Sequence, residues 1–259
     1  LGKEEEEMAT TPILELKGVS KRFGAVQALS NVHFACRPGE VMALVGDNGA
    51  GKSTLIKGIA GIYPFDGGET YFDGQRVTIH GPGEAGALGI EIVYQDLALA
   101  DNLDVVANMF LGRERVKSFW RLDESSMEQS CLQTLSSLSV TSIKSVRQQV
   151  AGLSGGQRQA IAVAKAVMWN SRLVILDEPT AALGVAQTRQ VLDLVKRLAG
   201  NGLAVVIISH NLHDIFEVAD RIAVLRLGQK VAEFAAAATT QQEIVHAITA
   251  GALDSVPGM

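Results

Sequence analysis

Cysteine is scarce in this chain. Its 259 residues hold two, Cys36 and Cys131, far apart and outside any CxxC spacing, which excludes a paired-cysteine metal or redox motif. Both read as ordinary reduced thiols, the usage of a cytosolic protein. Long apolar runs are missing too. The longest, Leu173–Leu176 and Leu203–Ile208, are strand-sized against the roughly 18 residues that a bilayer crossing needs. If the protein works at a membrane, another chain must span it. The start of the chain is acidic, not basic and then apolar as in a secretory signal. Positive charge is in no excess. Lys3 and the run Glu4–Glu7 carry −3 of the net charge of −5, and the remaining 22 basic and 24 acidic residues nearly balance. Binding nucleic acid along a whole face would need a basic surplus to displace counterions, so no nucleic-acid partner is expected. The acidic run reads as a solvated tail. His210 and His213 are three apart, but no cysteine or third histidine lies near enough to complete a metal site. There is no internal repeat and no low-complexity linker.

What the chain does have is apolar material, 47% of its residues, enough for a sizeable core. At about 150 residues per domain, its length allows one or two domains. Leu14–Phe23 and Leu29–Phe34 alternate apolar and polar residues, the pattern of half-buried antiparallel strands. After the turn Arg37–Glu40, Val41–Val45 is a continuous apolar strand running into a glycine-rich loop, and Lys52–Ile62 reads as a helix. Asp66–Glu69 and Asp73-Gly74 read as turns around a short strand. Ile90–Tyr94 is a further buried strand ending at Gln95. From about Leu97 to Val150 helix formers mix with Ser and Gln and no strong strand appears, so this stretch reads as a helical insertion. Then come a helix over 155–168, a strand at Leu173–Leu176, a helix over 185–198, a strand at Leu203–Ile208, a helix over 212–219, and a last sheet segment from Ile222 to Val231. Apolar strands alternating with helices predict an α/β fold with a mostly parallel sheet covered on both faces.

The glycine loop is Gly46-Asp47-Asn48-Gly49-Ala50-Gly51-Lys52-Ser53-Thr54. Glycines let the chain curl so that backbone N–H groups converge on phosphate, and the following helix points its positive end at them. Lys52 would neutralise β and γ phosphates, and the Ser53 hydroxyl would ligate Mg²⁺. Placement between strand and helix makes the loop credible as a phosphate site. Leu173–Leu176 delivers Asp177 and Glu178 to a strand's C-terminal end, where open α/β sheets bind ligands. In nucleotide hydrolases, which this strand and loop resemble, Asp177 would hold Mg²⁺ through water and Glu178 would polarise the attacking water as general base. About 100 residues after the loop stands Leu153-Ser154-Gly155-Gly156-Gln157. Ser154 can cap the next helix, and the two glycines bring N–H groups within reach of an anion.

On these motifs the chain resembles the nucleotide-binding subunits of the ATP-binding cassette superfamily, from about Ile13 to Ala250. The resemblance implies a single domain over 12–250 with a P-loop NTPase core. That core would comprise an N-terminal antiparallel β part within 12–96 together with 151–250. The helical subdomain would lie at about 97–168, and residues 1–11 and 251–259 would be tails. It implies that ATP is bound with Mg²⁺, and that Ser154, Gly155, Gly156 and Gln157 grip the γ-phosphate held by a second copy. Gln95 and His210 match the family's Q-loop glutamine and switch histidine. Gln95 would touch Mg²⁺ and the attacking water, and His210 the γ-phosphate. Phe23 stands where the family stacks an aromatic on adenine, with Val26 lining the same pocket. After Asp177-Glu178-Pro179-Thr180 the family runs Ser-Ala-Leu-Asp, whereas here Ala181-Ala182-Leu183-Gly184 lacks the aspartate that ties the two ATP sites together. Similar Ala-Leu-Gly strings occur in some sugar-importer cassettes. The implied function is an ATPase at the cytoplasmic face of a cell membrane. It would work as a homodimer with permease subunits and, indirectly, a secreted or periplasmic sugar-binding protein, driving monosaccharide uptake. A soluble, non-transport cassette ATPase or a regulatory ATP-binding subunit is the alternative.

Overall fold

The computed structural model describes residues 11–117 and 120–251. The acidic run Glu4–Glu7 lies outside the described residues. The chain opens with β1 (Leu14–Phe23) and β2 (Val26–Cys36). Then follow β3 (Val41–Val45), α1 (Lys52–Ile59), β4 (Gly67–Phe72), β5 (Gln75–Val77), α2 (Pro82–Ala87) and β6 (Ile90–Val93). The helical stretch holds α3 (Val105–Phe110), a short β7–β8 pair (Val116–Lys117, Arg121–Leu122), α4 (Glu124–Ser137) and α5 (Gly155–Val167). The rest is β9 (Leu173–Asp177), α6 (Val185–Gly200), β10 (Ala204–Ile208), α7 (Leu212–Val218), β11 (Arg221–Arg226), β12 (Gln229–Ala235) and α8 (Gln241–Ala250).

Two larger sheets result. One is antiparallel, in the order β2-β1-β4-β5; the other has six strands in the order β12-β11-β3-β10-β9-β6. In the second, β11, β3, β10, β9 and β6 run parallel and only β12 is reversed. Its strands alternate between two cores. Val41, Ala43, Val45, Val174, Leu176, Val205 and Ile207 pack toward α5, α6 and the helical stretch. Met42, Leu44, Leu173, Ile175, Val206 and Ile208 pack toward α1 and the antiparallel sheet. Both faces are therefore dry, which is why these strands read as unbroken apolar runs.

Several boundaries differ from the sequence expectation. The helix after the glycine loop stops at Ile59, and residues 60–62 form a turn closed by Gly61 N–H bonding Gly58 O. Gly67–Glu69, read as a turn, is the start of β4, paired with β1. The insertion is not purely helical, since it carries the β7–β8 pair. The segment Ile222–Val231 is broken by a turn at Leu227-Gly228 into the hairpin β11–β12. His210 precedes α7, whose N-cap is Asn211, so His210 and His213 share no helical face.

Candidate functional site

Three adjacent parallel strands build the site. β10 lies between β3 and β9, with Ile208 level with Leu44 on one side and with Asp177 on the other. The three segments that leave their C-terminal ends are the glycine loop, the Glu178 loop and the His210 turn. They emerge side by side at one edge, the position at which such sheets take ligands.

The loop from Gly46 to Gly51 curls over the start of α1. Gly46 has φ +152°, and a Cβ there would stand 2.2 Å from the Leu225 carbonyl oxygen, so only glycine fits. The first turn of α1 contains no acid, and its N-terminus has no side-chain cap. Its N–H groups are thus unclaimed by side chains, the arrangement that suits an anion. Lys52 Nζ donates to the carbonyls of Gly46 (2.7 Å) and Asp47 (3.0 Å), lying back along the loop. Burial holds its pKa below the ordinary lysine value, against the pull of Glu178, Asp47 and Asp177. A cleft of about 460 Å³ opens over the loop, lined by Asn48–Thr54, Val26, Gln27, Ala28 and the turn Leu227-Gly228. Val26 thus lies in it. Phe23 does not line it; its half-exposed ring stands edge-on to Tyr63, centroids 5.1 Å apart. Tyr63 in turn donates to the Thr54 carbonyl at 3.1 Å, tying Phe23 to the loop's helix.

Asp177 closes β9 and Glu178 follows in a left-handed conformation, φ +52°, its N–H bonded to Ile208 O at 2.9 Å. Burial, and then repulsion from Glu178, raise the Asp177 pKa above the usual carboxylate range; Lys52 and Lys57 oppose this. Glu178 Oε2 approaches His210 Nδ1 to 2.9 Å, the carboxylate side chain 16% exposed and the imidazole 78%. The contact is close but not aligned as a hydrogen bond, so Oε2 is shielded from solvent yet receives no aligned donor. A sheltered carboxylate oxygen with a free lone pair is what a general base requires. Gln95 is exposed just beyond β6, the strand beside β9. Tyr94, which the sequence did not single out, lies near enough to Asp177 for its phenol pKa to be raised, after burial, by that charge.

The signature string is elsewhere. Ser154 caps α5, its hydroxyl accepting from Gln157 N–H at 3.3 Å while Gln157 Oε1 accepts from Ser154 N–H at 2.9 Å. Gln157 Nε2 also donates to Ser142 O at 2.6 Å. None of Ser154, Gly155, Gly156 and Gln157 lines the cleft over the glycine loop. Instead, a Cβ at Gly155 would stand 3.0 Å from Leu183 Cδ2, and one at Gly156 the same distance from Gln187 Cβ. The glycines let the segment that follows Glu178 pack against the signature, a packing role the sequence did not disclose. Gly184 has ordinary extended backbone, and a Cβ there would meet nothing within 4 Å. Space does not dictate glycine at this position.

Comparison with known proteins identifies the family and the fold. The ABC transporter family model matches residues 29–181. The chain is 47% identical to the fructose import ATP-binding protein of Rhizobium meliloti, covering 86% of this chain and 88% of that relative. It is 45% identical to the xylose/arabinose import ATP-binding protein of Sulfolobus acidocaldarius, covering 94% and 96%. Against the ribose import ATP-binding protein of Clostridium tetani it is 39% identical, but spans only 47% of that longer chain. Among solved structures, a nucleotide-free ATP-binding cassette from an ABC transporter superposes with a TM-score of 0.79 at 27% identity, covering 91% of this chain and 94% of that one. A dimeric, post-hydrolysis cassette bound to ADP and Pi gives 0.71 at 25% identity, covering 86% and 98%. This chain belongs to the ABC transporter family, as one of its ATP-binding subunits.

Proposed function

We propose that the chain hydrolyses ATP at the edge formed by β3, β9 and β10, and that this turnover drives monosaccharide uptake through partner permease subunits. The observation that carries the catalytic reading is the Glu178–His210 pair, 2.9 Å apart beside the glycine loop. Loop N–H groups and Lys52 receive the β and γ phosphates, Lys52 exchanging its bonds to the Gly46 and Asp47 carbonyls for phosphate oxygens. Glu178 takes the proton of the attacking water. His210, on the exposed rim, donates to the γ-phosphate. Val26 flanks the adenine within the cleft, and Phe23 approaches it from outside the cleft lining.

The side chains that would hold Mg²⁺ are Ser53, Asp177 and Gln95. Among the described residues no cluster of three His, Cys, Asp or Glu forms a self-contained metal cage. That donor set suits an ion completed by phosphate and water. When bound, it would neutralise charge on the phosphates.

The sugar reading rests on similarity along nearly the whole chain to the fructose and xylose/arabinose import ATP-binding proteins. No helix among the described residues is long and apolar enough to cross a membrane. The permease would therefore supply the spanning segments, with this subunit at the cytoplasmic face. A second copy would bring Ser154, Gly155, Gly156 and Gln157 to the γ-phosphate, and a secreted or periplasmic sugar-binding protein would deliver cargo.

Glu178→Gln tests the mechanism. It should keep ATP affinity, lower turnover on the order of 10²-fold or more, and trap an ATP-bound dimer visible by size-exclusion chromatography. Turnover at the wild-type rate would remove Glu178 from the role of base.

A further inference from the structure

The loop between β9 and α6 is strained. Glu178 and Ala182 both hold left-handed backbone, φ +52° and +59°, a region that side-chain-bearing residues seldom enter and keep only where their surroundings dictate it. Backbone bonds account for part of the restraint: Glu178 N–H to Ile208 O, Ala181 N–H to Glu178 O and Leu183 N–H to Thr180 O. One further tie is made by side chains. Thr180 Oγ1 donates to Asp214 Oδ2 at 2.7 Å, across 34 residues of sequence, with both groups buried. Asp214 lies in the first turn of α7, directly after the His210 turn. Among the described residues this is the only side-chain hydrogen bond joining the Glu178 loop to α7.

We infer that Thr180 and Asp214 are positioning residues for hydrolysis: their buried bond fixes the loop carrying Glu178 against the helix that follows His210. Two residues on from Glu178 and four on from His210, the bond clamps both segments at their bases and so sets the separation of the two reacting side chains. It touches neither the glycine loop nor the cleft, so it acts on turnover and leaves nucleotide binding alone. The length suits a hydroxyl held by a carboxylate, whose geometry is narrower than that of apolar packing. This inference rests on the ATPase reading above.

The test compares kcat, ATP affinity and thermal stability across a small set of variants. Thr180→Val, which keeps shape and loses the hydroxyl, should lower kcat about tenfold with ATP Kd unchanged. Thr180→Ser should recover kcat to within about twofold, and so should Asp214→Asn, whose amide oxygen still accepts. Should Thr180→Val fold poorly because it strands a buried carboxylate, the double variant Thr180→Val/Asp214→Leu removes both polar partners, a change that can be nearly neutral for stability. Stability should then return while kcat stays low. Wild-type kcat in Thr180→Val, equal losses in Thr180→Val and Thr180→Ser, or recovery of kcat together with stability in the double variant would each overturn the inference. A wild-type chain that binds ATP without turning it over would instead overturn the ATPase reading itself.

Discussion

Asp177 ends a strand whose four preceding residues are fully buried. Its carboxyl pays for that place, to which burial and the neighbouring Glu178 both contribute. With its folded pKa raised, the folded state keeps the proton to higher pH than the unfolded chain does. Stability is therefore lost as pH rises through that window, and the penalty stands in full above it. Asp177→Asn removes the charge at every pH. It should melt higher than wild type at neutral pH, and the gap should narrow as pH falls into the ordinary carboxylate range, while turnover is lost; matched melting curves across pH check this. Such a trade of stability for activity is common where sites gather like charge. Asp177, Glu178 and Lys52 could be singled out from residue type and spacing alone, and the structure brings them together. Thr180 and Asp214 were not. A threonine and an aspartate 34 residues apart announce nothing until two strands set their loops side by side.

Helix α5 shows one residue serving two ends. In the structure, the Ser154 hydroxyl is half of a capping box with Gln157; in the proposed dimer it meets phosphate. Ser154→Ala should cost about 1 kcal/mol of stability through the lost cap, a Tm lower by roughly 2–4 °C for a chain of this size. Ser154→Asp separates the roles, because aspartate caps as well as serine does but repels phosphate. It should melt with wild type and lose turnover; a normal ATPase rate in that variant would leave Ser154 a cap alone. Elements were legible where one local rule governed them. The parallel strands followed from unbroken apolar runs and α5 from its cap. The start of β4 was misread as a turn because Gly67-Gly68 has turn composition. Gly68, at φ +88°, lies where a Cβ would stand 2.6 Å from Gly18 and Val19 backbone atoms of β1, an approach that composition cannot reveal. α8 went unread, although its start carried a signal, since Thr240 and Glu243 form a capping box. The break at Leu227-Gly228 follows from Gly228 pressing on Ala28, where a Cβ would stand 2.6 Å from its carbonyl oxygen.

At the scale of the whole molecule, the glycine loop sits at the strand edge and the signature caps a helix outside that cleft. Within one chain the two are linked indirectly. Leu183 packs toward Gly155 and Gln187 toward Gly156, and Leu183 shares its loop with Glu178. This packing connects the signature to the Glu178 loop within one chain. If each ATP needs the loop of one copy and the signature of the other, two dead chains can repair each other. A Lys52→Ala chain keeps its signature, and a Ser154→Asp chain keeps its loop. Mixed after purification, they should regain turnover on the order of a quarter of wild type, because random pairing makes about half the dimers mixed and each mixed dimer holds one intact site of two. Each variant alone should stay inactive at any concentration. The readout is ATPase rate against mixing ratio, with a maximum near equal amounts. Mixed dimers that form, as shown by co-purification through a tag on one variant, yet hydrolyse no ATP would mean that the loop and signature of different copies do not share a site.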